Sequence, residues 1–427
     1  MTGALLMFWL SAGFVAYVYA GYPAVLYLCA WRRHCGLRNA DSHPTAHSPR
    51  RGGRGCGFMI NPPINPPSAI RDPQYSISIV IAARNEGPRL AARLDNLVGL
   101  EFAGRRQFIV VSDGSTDNTL EVLSRYAPAV EVVALPCGGK AVALNAGAAR
   151  ARHDIIVFAD ARQVFAPDAL KALVEPFGDP SIGAVTGELL LDAESELFSN
   201  RRAHADRRGS RGTARAAGID RRRAERRRAL ASTMTDGVGM YWHYEKHVRR
   251  LESAVGSVVG ATGAIYAIRR HLWRPLPPNT ILDDVLTPMR VVLSGYRVVF
   301  NERARAFDRV PIDAEAEARR KVRTLAGNYQ LLLLEPRLLL PWRNPVWLQY
   351  VSHKLGRLGV PYALLTLFGA SILLASTNVF YAMTLAGQVG FYLLAGYGAI
   401  IELQSRPQSG AAGPTVADTG NAAREVA

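Results

Sequence analysis

Cysteine is scarce in this chain of 427 residues: Cys29, Cys35, Cys56 and Cys137 are the four present, and their spacing suits no metal. That argues against both a disulfide framework and a zinc site. Charge is absent altogether from residues 1–31, and nothing basic precedes Arg32. A secretory signal would need a basic start, so the stretch reads as an uncleaved transmembrane helix, with Trp9, Tyr17, Tyr19, Tyr22, Tyr27 and Trp31 suited to the interfaces. Aromatic residues are missing between Arg201 and Arg228, where twelve arginines meet only Asp206, Asp220 and Glu225. With no rings for bases to stack on, single-stranded nucleic acid is disfavoured as a partner.

What is present is unevenly spread. The arginine-rich segment supplies +9 of the formal net charge of +16. Arg32, Arg33 and Arg38 place the segment after the first helix in the cytoplasm by the positive-inside rule. Residues 32–75, rich in Pro, Gly, Arg and Ser, cannot bury a core and form a linker. A soluble α/β domain is expected over residues 76–335.

Its first part alternates strands with helices. Ile77, Ile79, Val80 and Ile81 form a strand running into Arg84, Asn85, Glu86 and Gly87, with a helix over about 88–98. Residues 108–119 (FIVVSDGSTDNT) are a second strand ending at Asp113, and Asp117 is a candidate helix cap. A third strand, 130–135, ends in Pro136, Cys137, Gly138, Gly139 and Lys140, and a fourth, 155–159, ends at Asp160. This alternation predicts a mainly parallel sheet with helices on both faces. Parallel topology brings Glu86, Asp113, Lys140 and Asp160 to one sheet edge, where ligands of open α/β sheets bind. Lys140 comes after two glycines at a helix start, an arrangement suited to phosphate.

A strand is expected over 182–191, and then residues 193–232 lose apolar periodicity. They read as a solvated insertion, with anionic lipid headgroups as the next reading. Order returns at Met234. Gly260, Ala261, Thr262, Gly263 and Ala264 allow close backbone approach to a ligand, and Asp283 and Asp284 open a helix. A strand over 296–300 precedes a helix over 313–334 carrying Arg319, Arg320, Lys321 and Arg323. Residues 343–357 suit an interfacial helix, 358–376 and 379–401 suit two further membrane spans, and the polar tail 402–427 is expected to be unstructured.

Together these motifs resemble the family 2 glycosyltransferases, in particular the membrane-embedded branch with the cellulose, hyaluronan and poly-N-acetylglucosamine synthases. The resemblance implies a GT-A-like fold of the nucleotide-diphospho-sugar transferases, with about three transmembrane helices in a bacterial-type inner membrane. It implies that Arg84, Glu86, Asp113, Lys140 and Asp160 bind the nucleotide-sugar. Within that set Asp113 contacts uridine, and Asp160 opens the Asp-x-Asp motif that holds a divalent cation, Mg²⁺ or Mn²⁺. Thr262 and Gly263 resemble the loop below the acceptor, and Asp283 and Asp284 stand where the family has Glu-Asp, whose aspartate is the general base.

Two departures matter. Arg162 replaces the second aspartate of Asp-x-Asp, so either donor phosphates and water complete the metal shell or Arg162 partly replaces its charge. The Gln-x-x-Arg-Trp motif is Arg320, Lys321, Val322, Arg323 and Thr324, which keeps the arginine only and weakens the case for processive synthesis. The expectation is an inverting enzyme taking a UDP-sugar to a saccharide or lipid-linked acceptor, with Asp284 as base. The competing reading is an inactive membrane scaffold that binds anionic lipid or nucleic acid through its arginine-rich insertion.

Overall fold

The structure is a computed structural model describing residues 1–40, 75–191, 242–308 and 314–404. Most of the linker 32–75, the arginine-rich insertion 193–232 and most of the tail 402–427 lie outside the described residues.

Four strands come first: β1 (Ile77–Ala83), β2 (Arg106–Asp113), β3 (Val130–Leu135) and β4 (Ile155–Asp160). All are parallel, with β1 between β2 and β4 and β3 beyond β2. Their apolar runs reflect burial on both faces. Successive side chains point to opposite sides, so Ile79 and Ile81 meet Leu90, Leu94 and Leu97 of the helix Gly87–Val98, while Val80 packs with Ala143 and Leu144 of the helix Lys140–Arg150. Gly147 lets that second helix approach the sheet: a Cβ there would lie 2.4 Å from Val80 Cγ1. The helix after β1 and the helix before β4 thus cover opposite faces, which makes the C-terminal ends of β1 and β4 the switch point where open α/β sheets hold ligands in a crevice.

The rest of the sheet is mixed. The strands β5 (Val164–Phe165), β6 (Ile182–Leu191), β7 (Ile265–Arg269) and β8 (Arg297–Asp308) complete the order β3-β2-β1-β4-β7-β6-β8-β5. β7 is antiparallel to both β4 and β6, whereas β6 and β8 are parallel. β8 runs well past the expected 296–300, because its ladder with β6 resumes after a register shift between Thr186 and Glu188. Residues Asn301, Glu302 and Arg303 at that shift are polar and hide the continuation from a hydrophobicity pattern.

Among the described residues, three helices are long and apolar enough to cross a membrane: Thr2–Arg32, Trp347–Leu374 and Val379–Gly398. The second contains a π-helical turn, Tyr350–Leu355, and continues as helix across residue 358, where the sequence pattern sets a boundary between an interfacial helix and a span. By contacts the chain forms two compact units. One comprises residues 1–11 and 364–427, in which buried Phe8 packs with Ala370 and Leu374 and meets the Tyr381 ring edge-on at 4.9 Å. The other, residues 12–363, holds the whole sheet.

Candidate active site

The loops beyond β1, β2 and β3 are tied to one another by short polar side chains. Asn85, in a left-handed conformation (φ 54°), accepts from the Thr116 N–H at 2.8 Å, and its own N–H donates to Ser115 Oγ at 3.2 Å. Asp117 accepts from the Gly87 N–H at 3.1 Å and from the Thr119 N–H at 3.0 Å, so it serves two helix starts, although the residue at the second cap position is Asn118. Arg84 is exposed, and Glu86 pairs with Arg89 at 3.4 Å. Asp113 is buried, and its carboxylate accepts from the Gly138 N–H at 2.7 Å and the Gly139 N–H at 3.0 Å. Gly139 adopts φ 89°, a left-handed turn that glycine accepts without strain. Asp113 therefore holds the turn that delivers Lys140.

Lys140 is the hub of the site. Its Nζ lies 3.3 Å from Asp160 Oδ1 and 3.4 Å from Asp283 Oδ1. Burial alone would depress the ammonium, but the Asp160, Asp283 and Asp284 carboxylates outweigh it and hold Lys140 above its ordinary range. Burial pushes the Asp283 carboxyl up to about 6, with the Asp284 and Asp160 charges adding to the rise and Lys140 opposing it. Asp283 Oδ2 is buried with no hydrogen-bond partner among the described residues. Asp160 is supported from below by Arg93, whose Nε donates to the Asp160 carbonyl at 3.2 Å while its guanidinium lies 4.0 Å from the Phe165 ring centre. Burial lowers Arg93 to about 9.

Asp283 and Asp284 form the first turn of the helix Asp283–Leu293. The Asp284 carbonyl accepts from the Ala261 N–H at 2.7 Å, which seats the small-residue loop on the helix start. Gly263 is needed there, since a Cβ would stand 3.1 Å from Asp284 Oδ2. Thr262 is committed to structure: its Oγ1 donates to the Gly187 carbonyl at 2.9 Å and accepts from Arg249 Nη1 at 2.8 Å. Arg320 and Arg323 lie exposed on the helix Ala314–Leu334. That helix docks beside the site: Gln330 Oε1 accepts from the Ile281 N–H at 2.9 Å, and a Cβ at Gly327 would lie 2.5 Å from Leu282 Cγ. Arg323 is one turn before Gly327 on the same helix face.

The cation beside Asp160 is Lys140, and Arg162 instead lies 3.8 Å from Asp308 Oδ2 of β8. Of the two alternatives for the metal shell, this placement of Arg162 beside β8 favours completion by phosphates and water over charge from Arg162. No group of three or more His, Cys, Asp or Glu side chains suited to a metal comes together among the described residues. Asp160 is nonetheless a hard oxygen donor at the crevice, and its single carboxylate fits a cation that takes its other ligands from phosphates and water. Sequence reasoning missed Arg93 and Arg249, which lie in helices with nothing local to mark them; only folding places them under Asp160 and Thr262.

The segment that builds this crevice has counterparts in known proteins. Residues 78–248 match the model of Glycosyl transferase family 2. A poly-beta-1,6-N-acetyl-D-glucosamine synthase of Staphylococcus aureus (strain COL) is 24% identical over 268 residues, 61% of this chain and 57% of that protein. The chain thus spans little more than half the length of that relative. An N-acetylglucosaminyltransferase of Rhizobium sp. (strain N33) is 33% identical over 132 residues, 30% of this chain and 29% of that one. Among solved structures, a mannosyltransferase from Pyrobaculum calidifontis in complex with GDP-Man and Mn²⁺ superposes with a TM-score of 0.58 at 19% identity, covering 93% of this chain and 96% of that one. This likeness shows a shared glycosyltransferase fold of the GT-A type. The family match is to residues 78–248, less than half of the chain, and it is this segment that is similar to Glycosyl transferase family 2.

Proposed function

We propose that this protein is an inverting glycosyltransferase that moves a sugar from a nucleotide-diphosphate donor, a UDP-sugar, to a saccharide or lipid-linked acceptor at the cytoplasmic face of a membrane, in envelope polysaccharide or glycan synthesis. The observation that carries the reading is the junction at Lys140, whose ammonium joins Asp160 from the fourth strand end to Asp283 from a distant helix start. Donor grip and proton acceptance then share one crevice.

Inversion in a single displacement needs one carboxylate to take the acceptor's hydroxyl proton as that oxygen attacks the anomeric carbon. Asp283 is committed to Lys140, whereas Asp284 stands beside the space that Gly263 leaves free. Asp284 is the base. Lys140 attracts the donor diphosphate, and Arg84, Glu86 and Asp113 belong to its nucleoside side. Asp160 would hold a divalent cation, Mg²⁺ or Mn²⁺, which when bound offsets charge on the departing diphosphate. Thr262, Gly263, Arg320 and Arg323 form the acceptor side. The Mn²⁺ and GDP-Man of the Pyrobaculum complex, and the saccharide product named for the Staphylococcus relative, support donor and acceptor classes of this kind.

The test is Asp284→Asn in the full chain. Transfer from a UDP-sugar should fall by at least about 100-fold, the scale of general-base catalysis, while calorimetry finds UDP affinity unchanged. Undiminished turnover would remove Asp284 from the reaction.

A further inference from the structure

Lys354 lies in the π-helical turn Tyr350–Leu355 of the membrane helix Trp347–Leu374. Its Nζ is 3.7 Å from where a Cβ on Gly260 would stand, so the ammonium reaches the loop that packs on Asp284. The charged groups around it are Glu245 and Asp284, which attract it, and Arg249 and Arg357, which repel it.

Glu245 is already shared among three other side chains. Its Oε1 lies 3.6 Å from Arg249 Nε and 3.2 Å from His353 Nε2, and its Oε2 accepts from Arg357 Nη1 at 2.8 Å. His353 turns its other ring nitrogen to Glu252 at 2.7 Å, and Glu252 also accepts from the Tyr22 hydroxyl at 2.6 Å. Lys354 itself makes no hydrogen bond or ion pair among the described residues. An ionisable side chain within a membrane helix is costly and normally faces a partner or a water-filled cavity. Here Glu245 is shared among three other side chains, and Asp284, the other carboxylate that attracts Lys354, makes no ion pair with it among the described residues, so the ammonium is left for a ligand beside the acceptor loop.

We infer that Lys354 is an anion-binding residue of the acceptor site, taking a phosphate or carboxylate carried by the acceptor and holding it over the loop at Gly260 and Gly263. The word acceptor rests on the glycosyltransferase reading; the anion site does not. Lysine suits this role as a compact point charge, and Gly260 leaves room for its stem. The acceptor is therefore an acidic molecule, and its charged group lies toward the membrane helix while its hydroxyl faces Asp284.

The experiment uses the full chain in a non-ionic detergent and two matched pairs of probes, dodecyl phosphate against dodecyl glucoside and glucose 6-phosphate against glucose, titrated by calorimetry. Wild type should bind the phosphate of at least one pair about tenfold more tightly than its uncharged mate, as a single unscreened charge contact allows. Lys354→Gln should erase that preference, Lys354→Arg should keep most of it, and Lys171→Gln, an exposed change of equal charge, should leave it intact. A preference in the dodecyl pair assigns the charge to a lipid phosphate, and one in the glucose pair assigns it to an acidic saccharide; both support the site. Circular dichroism of each variant certifies folding, and UDP affinity is followed in parallel. If UDP fails to bind while the phosphate preference still tracks Lys354, the anion site stands and the glycosyltransferase reading falls. A preference that survives Lys354→Gln, or is absent from wild type in both pairs, overturns the proposal.

Discussion

The two halves of the sheet are built differently. In the first half, β1 to β4, Asp113, Lys140 and Asp160 sit within a few positions of their own strand ends, and the loops there are tied to one another. In the second half, β5 to β8, the comparable residues lie off the strands, on a helix start and a loop of small residues: Asp284 is held by the loop at Ala261 and Gly263, and Thr262 by Arg249. On the proposed reading, a donor end fixed to cross-tied strand ends is hard to misplace. On the same reading, an acceptor end carried on a loop and a helix start can be retuned by changing what packs against it, and one fold can thus serve many acceptors.

Mutating one carboxylate from each half gives the largest expected effect. Asp160→Asn and Asp284→Asn should both cut turnover by at least about 100-fold, the first through charge at the leaving group and the second through proton transfer. Only Asp160→Asn should weaken donor binding, seen as a higher KM for the nucleotide sugar and a loss of response to added Mn²⁺. Equal donor affinity in the two variants would erase the division between donor and acceptor ends.

Two glycine substitutions sharpen the same contrast. Gly147→Ala drives a Cβ to within 2.4 Å of Val80 in the first half and should cost about 1–3 kcal/mol of stability through overpacking, measured by urea unfolding. Its residual folded fraction should keep normal turnover. Gly263→Ala brings a Cβ 3.1 Å from Asp284 Oδ2 and should leave stability within about 1 kcal/mol while lowering turnover about tenfold, because a small misplacement of the base is felt in rate.

The same division explains what could be read from the chain. Alternating strands and helices, with Asp113, Lys140 and Asp160 at strand ends, are local patterns, and they appear in the first half at the expected positions. The antiparallel β7, the two-residue β5 and the extension of β8 through Asn301 and Arg303 carry no periodic signal, since their pairing partners lie elsewhere in the chain. Asp283 and Asp284 are visible as an acidic helix start, but their meeting with Lys140 depends on two elements more than 140 residues apart in sequence. Arg93, Arg249 and Lys354 carry no motif at all; burial distinguishes Arg93, and proximity to Glu245 and to the loop at Gly260 distinguishes the other two.

The smallest expected effect is on the acid side of the stability profile, and it tests whether Asp283 belongs to the buried junction. Its carboxyl is raised from 3.8 to about 6, chiefly by burial. Between those values the folded protein holds a proton that the unfolded chain has released, so this group's contribution to stability is full below pH 3.8 and is lost as the pH rises through about 6. Asp283→Asn removes the titration. Subtracting the variant's urea-unfolding profile from that of the wild type should leave a component that falls between about pH 4 and 6 and is flat above about pH 7, whereas a flat difference throughout would mean that Asp283 is solvated like an ordinary surface aspartate. Lys140 loses one of its two carboxylate partners in the same variant, so donor binding should tighten or hold even where stability changes, because the freed ammonium is left to the diphosphate.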